Sequence, residues 1–148
     1  MRNNENHIFV DTNCIIAHLV DKYQLLKKTE QRSSNALHFL RSRNGKKLFL
    51  SALTIAQVTA KLQPYIGTEK VIDEVSDLLQ YFHIVEFNES DIQSALVNPL
   101  SKDIEDLYQY EMSQKVKCFY VMTNNVKDFS ALANIVAFTP SKVRKIIC

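Results

Sequence analysis

Two alternating patterns of apolar residues run along the chain. Short apolar runs at 8–10, 47–50, 83–87, 118–122 and 134–138 have the length and aromatic or β-branched content of buried strands. Between them the apolar positions take helical spacing. Residues 13–22 turn Ile15, Ile16, Leu19 and Val20 inward, and residues 29–43 carry Ala36, Leu37 and Leu40 as a stripe that Asn44-Gly45 terminates. A third helix, capped by Ser51 or Thr54, aligns Leu53, Ala56 and Ala60, with Ile55, Val58 and Leu62 beside them, until Pro64 and Gly67 break it. The clearest helix covers 68–82, where Val71, Val75, Leu78, Leu79 and Phe82 fall at i, i+4, i+7, i+8 and i+11. Further helices are expected at 89–97, 102–114 and, after Pro140, 141–147.

Strands that alternate with helices predict an α/β fold with a parallel sheet of about five strands, covered on both faces. There is no internal repeat, low-complexity segment or linker, so residues 1–148 are expected to form one domain. A hydrophobic share of 46% with only two glycines and three prolines excludes disordered and fibrous classes. The net charge of +2 gives no pointer to nucleic acid. Basic residues are nonetheless bunched at Arg41, Arg43, Lys46 and Lys47, and again at Lys142, Arg144 and Lys145. Solvated helix ends explain such runs slightly better than a phosphate-binding patch does.

Cys14, Cys118 and Cys148 are odd in number and lack C-x-x-C spacing, which fits packed thiols in a reducing compartment and no cysteine zinc site. Residues 1–7 lack the apolar core of a signal peptide, and no apolar run reaches membrane-spanning length. A cytoplasmic protein with no membrane partner is the expectation.

Three acidic or polar clusters sit at strand and helix edges. In Asp11-Thr12-Asn13 a carboxylate follows a strand directly, where open α/β sheets place ligands and where an ordinary N-cap also falls. On the 102–114 helix, Asp103, Asp106, Tyr110 and Ser113 form one stripe, beside an apolar face of Ile104, Leu107, Tyr108 and Met112. In Thr123-Asn124-Asn125, with Asp128 following, a strand again delivers polar groups at the carboxyl edge of the sheet, although an Asx turn would use the same residues. A fourth junction, 51–58, offers Gln57 as its first inward polar side chain. Carboxylates about 4 Å apart repel by roughly 4 kcal/mol at an effective dielectric of 20, so several of them facing one another call for protonation or a hard divalent ion. The four histidines have no i, i+4 pair and read as structural. No phosphate-cradling glycine loop and no G-x-S-x-G occurs, which removes nucleotide-binding and serine-hydrolase readings.

Taken together, Phe9-Val-Asp11-Thr-Asn13, Leu50-Ser-Ala-Leu-Thr54, Lys102-Asp-Ile-Glu-Asp106-Leu and Val121-Met-Thr123-Asn-Asn125-Val-Lys-Asp128-Phe129 resemble the PIN domain family in order and spacing over nearly the whole chain. The resemblance implies a Rossmann-like sheet and a Mg²⁺- or Mn²⁺-dependent endoribonuclease. It also implies kinship with the small bacterial toxins that an antitoxin protein holds inactive and that are often homodimers. Asp11, Asp106 and Asp128 match the family's acidic positions, with Asp103 as a neighbouring metal ligand. Thr12, Asn13, Thr123 and Asn125 match the polar residues that support the site. Lys102 and Lys127 stand where they would meet the RNA backbone.

Position 57 departs from the pattern. Many members carry Glu at the start of the third helix; Gln57 brings no charge and cannot act as a base. Asp103 or Glu105 could supply the missing charge, Glu105 being the poorer candidate because it lies about 100° round the helix from Asp106. A PIN-like module that binds RNA or protein without cutting is therefore the alternative. A purely structural α/β domain is the third.

Overall fold

The computed structural model describes residues 3–26, 31–98 and 103–147. Five parallel strands form one sheet: β1 (Asn4–Val10), β2 (Lys47–Ser51), β3 (Phe82–Val85), β4 (Cys118–Met122) and β5 (Val136–Phe138), in the order β3-β2-β1-β4-β5. The chain builds outward from β1 in one direction through β2 and β3, then returns to the other side of β1 for β4 and β5. The carboxyl ends of β1 and β4 therefore diverge at the topological switch point, where an open sheet leaves a crevice.

Alternating strand residues divide two apolar cores. Ile8, Val10, Leu48, Leu50, Phe82, Met122 and Phe138 face one side, under helices α1 (Thr12–Lys22), α2 (Arg32–Arg41), α3 (Ala52–Ile66), α4 (Thr68–Tyr81) and α8 (Val143–Ile146). Phe9, Phe49, Val85 and Val121 face the other, under α5 (Glu89–Leu96), α6 (Ile104–Lys115) and α7 (Val126–Phe129). The parallel, doubly covered sheet follows from the strand–helix alternation, and Cys14 and Cys118 are buried free thiols.

Some element-level expectations change. The buried line of α3 is Thr54, Val58 and Leu62, not Leu53, Ala56 and Ala60, so a polar Thr54 lies at the core boundary. Pro64 does not break α3; it sits inside the last turn, and Gly67, at φ +87°, ends the helix while its N–H bonds Gln63. In α4 the buried residues are Val71, Glu74 and Leu78. Leu79 is 57% exposed, and Phe82 opens β3. Glu74 is buried because Lys22 and the Tyr23 hydroxyl satisfy its carboxylate. Ile104, expected on an apolar face, is 42% exposed at the first turn of α6. The last helix is split into a 3-10 turn (Pro140–Lys142) and α8. Thr29, Lys102 and Cys148 lie outside the described residues.

Candidate metal centre

The sheet ladder itself positions the first acid. Asp11 N–H donates to Met122 O (2.9 Å) and Thr123 N–H to Phe138 O (2.9 Å), which sets Asp11 and Thr123 side by side one residue past β1 and β4. The Asp11 carboxylate is then held from three directions. Its Oδ1 accepts from Thr12 N–H (2.8 Å), while its Oδ2 accepts from the Thr123 hydroxyl (2.7 Å) and Asn13 Nδ2 (3.0 Å). Asp11 is thus both a helix cap and a fixed acid, and the two readings of that position do not compete.

Asn13 also joins the two loops, its Oδ1 accepting from Asn124 N–H (3.1 Å). Asn125 takes part through its backbone N–H, which donates to Thr123 Oγ1 (2.9 Å), rather than through its amide.

Across the crevice the first turn of α6 supplies Asp103, Asp106 and Glu105. Asp103 is the N-cap, not part of a helical stripe: its Oδ1 accepts from Glu105 N–H (2.9 Å) and Asp106 N–H (3.4 Å). Each of Asp103, Asp106 and Asp128, the last from α7, offers a carboxylate oxygen, and the three oxygens lie within 4.8 Å of one another. Asp106 is 4% exposed, and its Oδ2 is buried with no hydrogen-bond partner among the described residues. No lysine or arginine among the described residues pairs with Asp11, Asp106 or Asp128.

The electrostatic cost shows in the titration of these groups. Burial, then Asp103, Asp11 and Asp128, push the Asp106 carboxyl up to about 8. Burial raises Asp11 to about 6 against the lowering effect of its Thr123 and Thr12 bonds. The raised values record carboxylates held close together in a buried crevice, where ionising one is opposed by the others. A hard cation with oxygen ligands fits this donor set, since the cluster contains no thiolate or imidazole.

A second group of side chains supports the crevice from below. Gln109, on α6 three residues beyond Asp106, is fully buried and donates to Thr12 Oγ1 (2.7 Å) and Thr54 Oγ1 (3.2 Å). Thr12 Oγ1 also meets Thr54 Oγ1 (2.7 Å) and donates to Gln57 Oε1 (2.8 Å), and Gln57 Nε2 donates to Glu105 Oε1 (2.6 Å). Sequence reasoning missed Gln109 and the buried Thr54; the i, i+3 spacing from Asp106 was the available signal for Gln109. Lys127 is exposed on α7 beside Asp128, whereas Lys102 falls outside the described residues. Three of the four histidines hold structural contacts, His7 Nδ1 to Val116 O and His18 Nδ1 to Ser34 Oγ, with His83 against the Phe49 ring.

Solved structures share this architecture. FitAB bound to an IR36 DNA fragment matches with a TM-score of 0.63 at 21% identity, covering 90% of this chain and 95% of that one. VapBC2 from Rickettsia felis bound to a fragment of its promoter DNA matches with a TM-score of 0.61 at 14% identity, covering 90% and 98%. FitAcB from Neisseria gonorrhoeae matches with a TM-score of 0.60 at 22% identity, covering 90% and 97%. Neither a protein-family model nor a curated protein matches the sequence. At these identities the likeness establishes the fold, a PIN-like α/β sheet. Among the described residues no helix is long and apolar enough to cross a membrane.

Proposed function

We propose that this chain is a Mg²⁺- or Mn²⁺-dependent endoribonuclease, the toxin of a toxin–antitoxin pair. The observation that carries the reading is the three-carboxylate cluster of Asp103, Asp106 and Asp128, in which the buried Asp106 Oδ2 has no hydrogen-bond partner among the described residues. Asp103, Asp106 and Asp128 would hold the ion, with Asp11 facing them. When bound, such an ion supplies Lewis-acid polarisation of a phosphodiester.

The chain's own residues prepare that chemistry. Thr123, Asn13 and the Thr12 N–H fix the orientation of Asp11, and the Asp103 cap fixes where α6 presents Asp106. Lys127, exposed beside Asp128, and Lys102 would meet the RNA backbone, so binding should weaken steeply with salt.

The antitoxin is supported by the likeness to the FitAB and VapBC assemblies and by an apolar groove. Val20, Leu25, Leu26, Leu62 and Tyr65, with Lys61, line about 330 Å³, and Leu26 and Tyr65 are 65% and 72% exposed.

Cleavage of single-stranded RNA with Mn²⁺ tests the assignment. Asp11→Asn, Asp106→Asn and Asp128→Asn should each abolish it, and Thr123→Val should lower it about 10- to 100-fold through loss of support to Asp11. Undiminished cleavage by Asp11→Asn and Asp106→Asn would overturn the site. Gln57 favours a second reading, a non-cutting RNA- or protein-binding module, because position 57 adds no charge. Calorimetry separates the two. Mn²⁺ binding tighter than millimolar that disappears in Asp106→Asn supports the enzyme, and no detectable binding supports the module.

A further inference from the structure

Beside the acid cluster a cleft of about 450 Å³ opens, lined by Thr12, Ile16, Gln57, Ala60, Lys61 and Glu105. That volume lies within the range of small-ligand clefts, about 300–1,000 Å³. Ile16 and Ala60 contribute apolar wall, while Gln57 and Glu105 contribute the polar part.

The polar part has a fixed sense. A carboxylate only accepts, so Glu105 sets which end of the Gln57 amide faces it: Nε2 donates to Glu105 Oε1 at 2.6 Å. The other end, Oε1, accepts the Thr12 hydroxyl at 2.8 Å, and Thr12 is in turn fixed by buried Gln109. A glutamate at position 57 could not hold Glu105 in this way, because two acceptors would face each other. The amide at 57 is matched to the acid at 105, and together they present an anchored acceptor edge to the cleft.

We propose that this cleft is a nucleobase subsite in which Glu105, positioned by Gln57, accepts from the donor edge of a base and so selects guanine over uracil. Guanine offers N1–H and the N2 amino group side by side, toward which a carboxylate is complementary. Uracil offers a single N3–H flanked by two carbonyl oxygens, which a carboxylate repels. Single-stranded RNA exposes these edges, and its bases can splay into such a cleft. The inference rests on the ribonuclease reading only for the class of ligand.

Titration of guanosine and uridine into the metal-free protein, followed by NMR, tests it. Guanosine should shift the Gln57 side-chain amide and the Ala60 and Lys61 backbone amides, binding at least about fivefold more tightly than uridine. Glu105→Gln, at an exposed position, keeps the bond from Gln57 and should erase the preference. Equal shifts with the two nucleosides, no shifts in the cleft, or a preference that survives in Glu105→Gln would each overturn the subsite. Mn²⁺-induced broadening around Asp106, read on the same samples, reports the acid cluster separately. Broadening without a guanosine preference sinks the subsite and leaves the nuclease reading standing; a preference without broadening does the reverse.

Discussion

Asp106 and Asp11 are equally buried, yet their surroundings differ in kind. Asp11 has hydrogen-bond donors on both oxygens, whereas Asp106 Oδ2 has none among the described residues and the Asp106 carboxyl sits against Asp103 and Asp128, a hydrogen bond to Asp128 favouring its protonated form. Neutralising Asp106 and deleting the Asp11 carboxylate should therefore have opposite effects on metal-free stability. Asp106→Asn relieves repulsion and provides a donor for the neighbouring acids. At pH 8 without metal it should stabilise the fold by on the order of 1 kcal/mol, read as a higher denaturation midpoint, while losing Mn²⁺ binding. Asp11→Ala instead strands the Thr123 hydroxyl and the Thr12 N–H, and should destabilise by about 1–3 kcal/mol. Destabilisation by Asp106→Asn under the same conditions would show that the acids are not in conflict. At Gln109, where Nε2 ties Thr12 to Thr54, Gln109→Leu should cost about 1–3 kcal/mol, since two buried hydroxyls lose a donor.

Helix α6 carries a capping role and a site role on one residue, and the two can be separated. Asp103 stabilises the helix start through its bonds to two backbone N–H groups, and it also adds charge to the cluster. Asn caps about as well as Asp, but Ala does not cap. Without metal at pH 8, Asp103→Ala should fall below Asp103→Asn in stability by about 0.5–2 kcal/mol in urea denaturation. Equal stability of the two variants would remove the cap from the account. This same residue marks what the sequence could and could not convey. The strand–helix alternation and the residues at the ends of β1 and β4 were legible because period and position are local properties. The inward face of α3 was not: both lines, Leu53, Ala56 and Ala60 and then Val58 and Leu62, are built of apolar residues, and only packing against the sheet and the bond from Gln109 turns Thr54 inward. Likewise Leu79 and Leu78 look alike in sequence, and one of them faces solvent because α4 buries Glu74 in a bond with Lys22 and Tyr23. The pairing of Gln57 with Glu105 spans 48 positions, a distance that helical periodicity within one element does not read.

At the scale of the whole molecule, the acid cluster makes stability depend on pH in a direction opposite to that of most carboxylates. A group whose native pKa is raised binds more protons in the native state, so its contribution is complete below its unfolded value and vanishes as pH climbs through the native one. For Asp11 and Asp106 that loss runs from 3.8 upward, through about 6 and about 8 respectively. Other groups bracket the window. His18, lowered by burial and then by Arg41, adds stability with rising pH up to its ordinary value of 6.5. Cys14 and Cys118, raised chiefly by burial, act near and above their ordinary 9.0. Between pH 6.5 and 8.5 Asp106 therefore dominates, and the metal-free protein should lose stability across that interval. The Asp106→Asn variant, which keeps every other group, should show a flatter profile. Mn²⁺ at a fixed concentration, a hundred times its dissociation constant at pH 8.5, should add about 2.7 kcal/mol there and less at pH 6.5, where a protonated Asp106 competes with the ion. Thermal denaturation at four pH values, with and without Mn²⁺, reads both effects. A parent profile that rises from 6.5 to 8.5, or one that Asp106→Asn leaves unchanged, would mean that the carboxylates around the β1–β4 crevice are not held in mutual opposition.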